Sequence, residues 1–114
     1  MKMRQVIEEA KMRHFEFTKL IPKRYISAKR AGRISYKSYV RLVEYLESEV
    51  SRFQGLDPED LGVLLVGTAE DAGSVQYALS LAVKQGRQDR LRPLLKRAVD
   101  AEKALWRLYL YKSA

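Results

Sequence analysis

Six apolar residues recur at steps of three and four through the last part of the chain: Leu91, Leu94, Ala98, Ala101, Leu105 and Leu108. This is the spacing of one helix face, a heptad-like seam that must be buried against other helices. A second seam, Tyr36, Tyr39, Val43, Leu46, Val50 and Phe53, lies between an N-cap signal at Ser35 and a stop at Gly55. A third, Met3, Ile7, Ala10, His14, Phe17 and Ile21, ends at Pro22, because the residue before proline is pushed out of the α region. The predicted fold class is all-α: a compact bundle of four to five helices, in a single helical domain over residues 1–114 that holds a basic N-terminal segment.

The remaining boundaries follow from turn and cap chemistry. Pro22 opens a short helix, PKRYISAKRA, closed by Gly32; an extended basic arm is the alternative. Asp57-Pro58-Glu59-Asp60 starts another helix, with the acids at the positive end of its dipole. That helix, Leu61 to about Ala69, is apolar on nearly every side and is expected at the centre of the fold; a strand over Val63–Val66 is the alternative. Ala72-Gly73-Ser74 reads as a break. Ser74 then caps a fourth helix that runs through Val75, Ala78, Leu79, Ala82 and Val83 to Gly86. Asp89 is the expected cap of the last helix, with Pro93 early enough to be tolerated.

Charge is distributed very unevenly along this pattern. The chain has 22 Lys+Arg and 14 Asp+Glu, net +8. Residues 17–43 contain Lys19, Lys23, Arg24, Lys29, Arg30, Arg33, Lys37 and Arg41 and no acid. Residues 44–71 hold one base and eight acids, net −7, and residues 72–114 hold nine bases and three acids, net +6. Segregation of this kind points to an electrostatic partner. The cations of residues 19–41 are expected to bind phosphates of nucleic acid, DNA or RNA, with release of condensed counterions. The alternatives are the acidic 44–71 region of this or a neighbouring chain, or a solvated face with no specific partner. Tyr25, Tyr36 and Tyr39 are interleaved with the charges, and tyrosines among bases can stack on unpaired nucleobases. Tyr36 and Tyr39 lie on an apolar seam and are expected in the core, which leaves Tyr25.

A second basic cluster is Arg87, Arg90, Arg92, Lys96 and Arg97. At about 100° per residue, Arg92, Lys96, Lys103 and Arg107 fall on one side of the last helix, opposite its seam. Asp100 is placed to pair with Lys96 or Lys103. The tail of this helix, Trp106, Tyr109, Leu110 and Tyr111, has more aromatic surface than one seam buries, so Trp106, Tyr109 and Tyr111 are candidates for a protein interface.

Composition removes several function classes. There is no Cys, hence no disulfide, thiolate chemistry or Cys-based metal site. A hydrophobic share of 46% is too high for a disordered chain. The longest apolar run, Leu61–Ala69, is nine residues, against about 20 for a membrane span, so no membrane is expected. MKMRQVIEEAKMR lacks an apolar h-region and does not read as a signal peptide, which fits a cytoplasmic chain, or a virion component. The absence of Asn as well as Cys, with abundant charge, follows the trend of heat-adapted proteins.

Catalytic chemistry finds little material. His14 is the only histidine and sits on an apolar face, where a satisfied, half-buried role is expected. No second His stands by for a metal. Asp57, Glu59 and Asp60 serve as cap and dipole partners, while Glu8-Glu9 and Glu70-Asp71 diverge on a helix. Gly62–Gly67 with Thr68 lacks the lysine of a phosphate loop. With no nucleophile, base and orienter together, no enzyme activity, cofactor or metal is expected.

In size, charge and helicity over its whole length, the chain resembles two kinds of small nucleic-acid-coating protein. One is the small helical subunit of CRISPR effector complexes; the other is the coat protein of filamentous viruses of hyperthermophilic archaea. The resemblance implies non-enzymatic assembly side by side along nucleic acid, with low sequence specificity, and assigns no individual residue. Attraction between the acidic middle and the basic flanks of successive copies would give head-to-tail self-association. The competing expectation is a helical adaptor that docks a larger protein through its aromatic tail.

Overall fold

The seams of the third and last helices do form the core. The computed structural model describes the backbone of residues 3–22, 24–55, 62–86 and 88–113, and side chains over 8–9, 11–22, 24–55, 65–86 and 90–110. Five helices follow one another: α1 (Met3–Leu20), α2 (Ala28–Arg33), α3 (Tyr36–Gln54), α4 (Gly62–Lys84) and α5 (Gln88–Ser113). No strand occurs among the described residues, and Val63–Val66 is helical. The bundle measures 43 × 24 × 20 Å. Its length is close to that of α5 alone, about 39 Å at 1.5 Å per residue.

α5 buries Leu91, Leu94, Ala98, Ala101 and Leu105. α3 buries Tyr39, Val43, Leu46 and Phe53 as its seam requires, and also Leu42 and Glu49. The seam is wider than its apolar spacing because α1 lies along that flank. There Arg13 donates to Glu49 at 2.6 Å, and Glu49 is only 1% exposed. A buried carboxylate without such a partner would be costly.

α4 is the hub and touches all four other helices. It is one continuous helix, so the predicted break at Ala72-Gly73-Ser74 does not occur. Ser74 donates its hydroxyl back to Glu70 O at 3.1 Å instead of capping a new helix. Ala72 and Val75 on either side are fully buried, and their packing outweighs a glycine penalty of about 1 kcal/mol. A side chain on Gly73 would meet the Glu102 carboxylate at 3.2 Å, so the glycine allows α5 to approach. Of the expected centre Leu61–Ala69, the side chains of residues 61–64 lie outside the described ones. Leu65, Thr68 and Ala69 are buried but Gly67 is exposed, and the C-terminal half of α4 contributes Ala78, Leu79, Ala82 and Val83.

Other boundaries move as well. Pro22 does not open a helix: residues 24 and 25 form a bend, and α2 starts after Ser27, whose side chain accepts from Arg30 N. Nor is the segment a free arm, since Ile21 and Ile26 are buried on both sides of the bend. Gly32 lies inside α2, where a Cβ would come within 2.8 Å of the Gln85 side chain. α5 already includes Gln88, which puts Asp89 in its first turn rather than at the cap. The predicted stops at Gly55 and Gly86 do end α3 and α4, Gly86 with φ +94° in the left-handed region. The Asp57–Asp60 cap lies outside the described residues. Among the described residues, no helix is long and apolar enough to cross a membrane.

Cross-helix contacts fix the helix directions. Arg13 meets Glu49 and Arg52 meets Glu9, so α1 and α3 are antiparallel. The Tyr39 hydroxyl reaches Ala78 O at 3.3 Å and Tyr45 reaches Asp71 at 3.1 Å, so α3 and α4 are antiparallel too. Arg90 lies over Tyr36, and Arg97 bonds Glu47, so α3 and α5 run the same way. The end of α1, all of α2, the start of α3, the end of α4 and the start of α5 therefore share one end of the bundle.

Tyr39 ties that end together. It is fully buried, and its hydroxyl donates to Ala31 O at 2.7 Å. Tyr39→Phe leaves the Ala31 carbonyl without this donor and is expected to cost about 1–2 kcal/mol in urea unfolding, with an unchanged m-value.

Candidate nucleic-acid interface

The shared end is where the basic segment lies. On α2, Ala31 turns inward, and Lys29, Arg30 and Arg33, at about 100° steps, all turn outward. On α3, Ser35 caps the helix by accepting from Ser38 N at 3.1 Å, and Lys37 and Arg41 lie one turn apart on its exposed face. Arg41 and Lys19 line the same cleft between α1 and α3, with Leu20 and Leu42 at its base. Lys84 is exposed at the end of α4.

Among the described residues, Lys29, Arg30, Arg33, Lys37 and Arg41 have no carboxylate partner. Exposure to solvent keeps their mutual repulsion tolerable, because water and salt screen it over about 10 Å.

Other predicted residues are partly occupied. Lys19 pairs with Glu16 at 3.1 Å, and Arg24 lies 3.8 Å from Glu70 and 5.7 Å from the Tyr25 ring centre. Arg97 holds Glu47 with two bonds, 2.5 and 3.0 Å. Arg90 covers the Tyr36 ring at 4.2 Å. Arg92, Lys96, Lys103 and Arg107 are exposed along the outer side of α5. Lys103 and Arg107 lie about 20–25 Å along that helix from Arg90, away from the basic end. Tyr39 is in the core and Tyr36 at its margin, while Tyr25 is 68% exposed. Trp106 and Tyr109 meet edge to face at 6.0 Å and pack against the core, so the tail shows less aromatic surface than its composition predicts. Lys23, Arg87 and Tyr111 lie outside the described side chains.

The structure also adds groups that sequence reading passed over. His14 is satisfied, as expected, but more open than expected, with 54% of its side chain exposed; its Nδ1 lies 2.8 Å from Asp71. When Asp71 is ionised it only accepts, and Nδ1 is then the donor. Tyr45 donates to the same Asp71 oxygen. Together the three groups clasp α1 and α3 to α4. Burial pushes the Asp71 carboxyl up against the lowering effect of His14. Burial, then the Asp71 and Glu49 carboxylates, push Tyr45 well above the usual tyrosine range. The nearby hydroxyls of Thr18 and Ser74 donate to main-chain carbonyls, Phe15 O and Glu70 O. Among the described residues, no group of three or more His, Cys, Asp or Glu is gathered that could hold a metal.

No protein-family model matches this chain, and no characterised protein or solved structure is significantly similar to it.

The clasp makes a pH prediction. Tyr45 keeps its proton in the fold, while the unfolded chain ionises near pH 10. Above that pH the unfolded state binds fewer protons, so stability falls as pH rises, by up to about 1.4 kcal/mol per unit for this one proton. In denaturant titrations, Tyr45→Phe is expected to lose one proton's worth of that alkaline slope. Below pH 9 it is expected to lose only about 1 kcal/mol, the value of its bond to Asp71. A variant with the wild-type slope above pH 10 would contradict the assignment.

Proposed function

We propose that this chain is a non-enzymatic nucleic-acid-binding protein that grips the phosphate backbone with the basic end of its bundle. The observation that carries the reading is the set Lys29, Arg30, Arg33, Lys37 and Arg41: five exposed cations at one end, without carboxylate partners among the described residues. Cations carried on capped helices stand on an ordered backbone, so binding has no loop to order, and each phosphate they meet releases counterions. Phosphate contacts set position and carry no sequence information, so sequence specificity is low.

Lys19, Arg24 and Arg90 extend the surface once their intramolecular contacts are exchanged for phosphates. Lys96, Lys103 and Arg107 offer a second track along the outside of α5. The opposite half of the bundle holds Glu8, Glu9, Glu47 and Glu49, while Glu16 and Glu70 lie against Lys19 and Arg24. Opposed charge at the two ends supports a coating role, in which successive copies meet head to tail along a strand, like an archaeal filamentous-virus coat protein or a CRISPR effector small subunit. The adaptor alternative loses Trp106 and Tyr109, which pack against the core, and keeps the exposed Leu110.

A gel shift with single-stranded and duplex DNA and RNA across a salt series tests the reading. If all five cations meet phosphates, log K is expected to fall with log salt at a slope of about −4. Lys29, Arg30 and Arg33 all changed to Glu abolish binding and leave the circular dichroism spectrum unchanged, because all three side chains are exposed. Light scattering of the bound sample reports assembly as a mass that grows with strand length. Absence of binding at low salt would overturn the proposal.

A further inference from the structure

The bend between α1 and α2 does something unusual with its apolar residues. Ile21 and Ile26 are 2% and 4% exposed, while Tyr25 between them is 68% exposed. Burial on both sides pins the backbone, so the ring is held out by the fold and not by a loose loop. It lies against a second exposed ring, Tyr77 of α4, with centroids 5.4 Å apart and planes at 90°. An edge-to-face contact covers at most one face of one ring, which leaves the other ring free to stack.

The two tyrosines form the wall of an open cleft of about 360 Å³ lined also by Arg24, Gly73, Ser74, Gln76, Ser80 and Glu102. The volume is within the range of small-ligand sites. The Glu102 carboxylate of α5 lies against Gly73, where it can accept from a guest N–H. Arg24 supplies a cation at the rim, and two helical turns beyond Tyr77 the same exposed strip of α4 reaches Lys84 at the basic end.

Planar aromatic walls, a carboxylate acceptor and cations on one side together fit a nucleobase attached to a phosphate chain. We infer that this cleft receives an unpaired base, stacked on one of the two tyrosine rings with the other at its edge, and that the protein's ligand is single-stranded nucleic acid. In a duplex both faces of each base are already covered, so the cleft gains nothing from it. The inference rests on the phosphate-binding reading above and adds strandedness to it.

Fluorescence anisotropy separates the two ideas. The probes are single-stranded (dT)20, a strand of equal length with abasic positions throughout, and a 20-base-pair duplex. Wild-type protein is expected to bind (dT)20 roughly 5- to 100-fold more tightly than the abasic strand, the factor carried by one stacked base. Tyr25→Ala and Tyr77→Ala are each expected to reduce that factor at least fivefold and to leave abasic and duplex affinities unchanged. Both residues are exposed, and thermal melts check that the variants fold. Equal wild-type affinity for the (dT)20 and abasic strands would overturn the cleft and leave phosphate binding standing. Tyrosine variants that keep the wild-type preference would do the same. No binding to any probe at low salt would overturn both.

Discussion

The arrangement depends on α4 being one helix. Its 23 residues carry the chain from one end of the bundle to the other, and so return α5 to the end where the basic segment waits. Had the helix broken at Gly73, the start of α5 would be free to lie elsewhere, and the two basic regions would not be obliged to meet. Two interior glycines cost about 2 kcal/mol together. The burial of Leu65, Val75, Leu79 and Val83, at about 1.5–3 kcal/mol for each such side chain, decides the matter in favour of continuity.

Continuity converts a pattern along the sequence into a pattern in space. The acid-free stretch from Lys19 to Arg41 and the base-rich start of α5 converge, while Glu8 and Glu9 of α1 and Glu47 and Glu49 of α3 lie toward the other end. Where acids and bases do meet, they lock helices together: Arg13 with Glu49, Arg52 with Glu9, Arg97 with Glu47. These contacts leave the α2 cations aside. Solvent screening makes that surplus bearable, and a polyanion would relieve it.

Much of this was legible in the residues. The seams of α3 and α5 predicted which side chains are buried, because a helix with one apolar stripe has one way to hide it. The seam of α3 was underestimated at Leu42 and Glu49, since periodicity does not reveal that a neighbour brings an arginine to neutralise a buried acid. The reading of Gly73-Ser74 as a break failed for a related reason: local propensity is weak beside tertiary packing. The charge surplus could be counted, but its gathering at one end depended on that same unbroken helix. Tyr77 and Lys84 drew no attention because their shared strip appears only when residues 62–84 are read as one element. The His14–Asp71–Tyr45 clasp joins three helices, and no spacing within the chain announces it.

One end of the bundle is thereby proposed as the contact surface for a polyanion. Backbone amide NMR during titration with (dT)20 tests this directly. Shift changes concentrated in residues 24–41, 73–80 and 84–92, with residues 44–54 unmoved, are the predicted result. Changes centred on residues 44–54, or no change at saturating oligonucleotide, would contradict it.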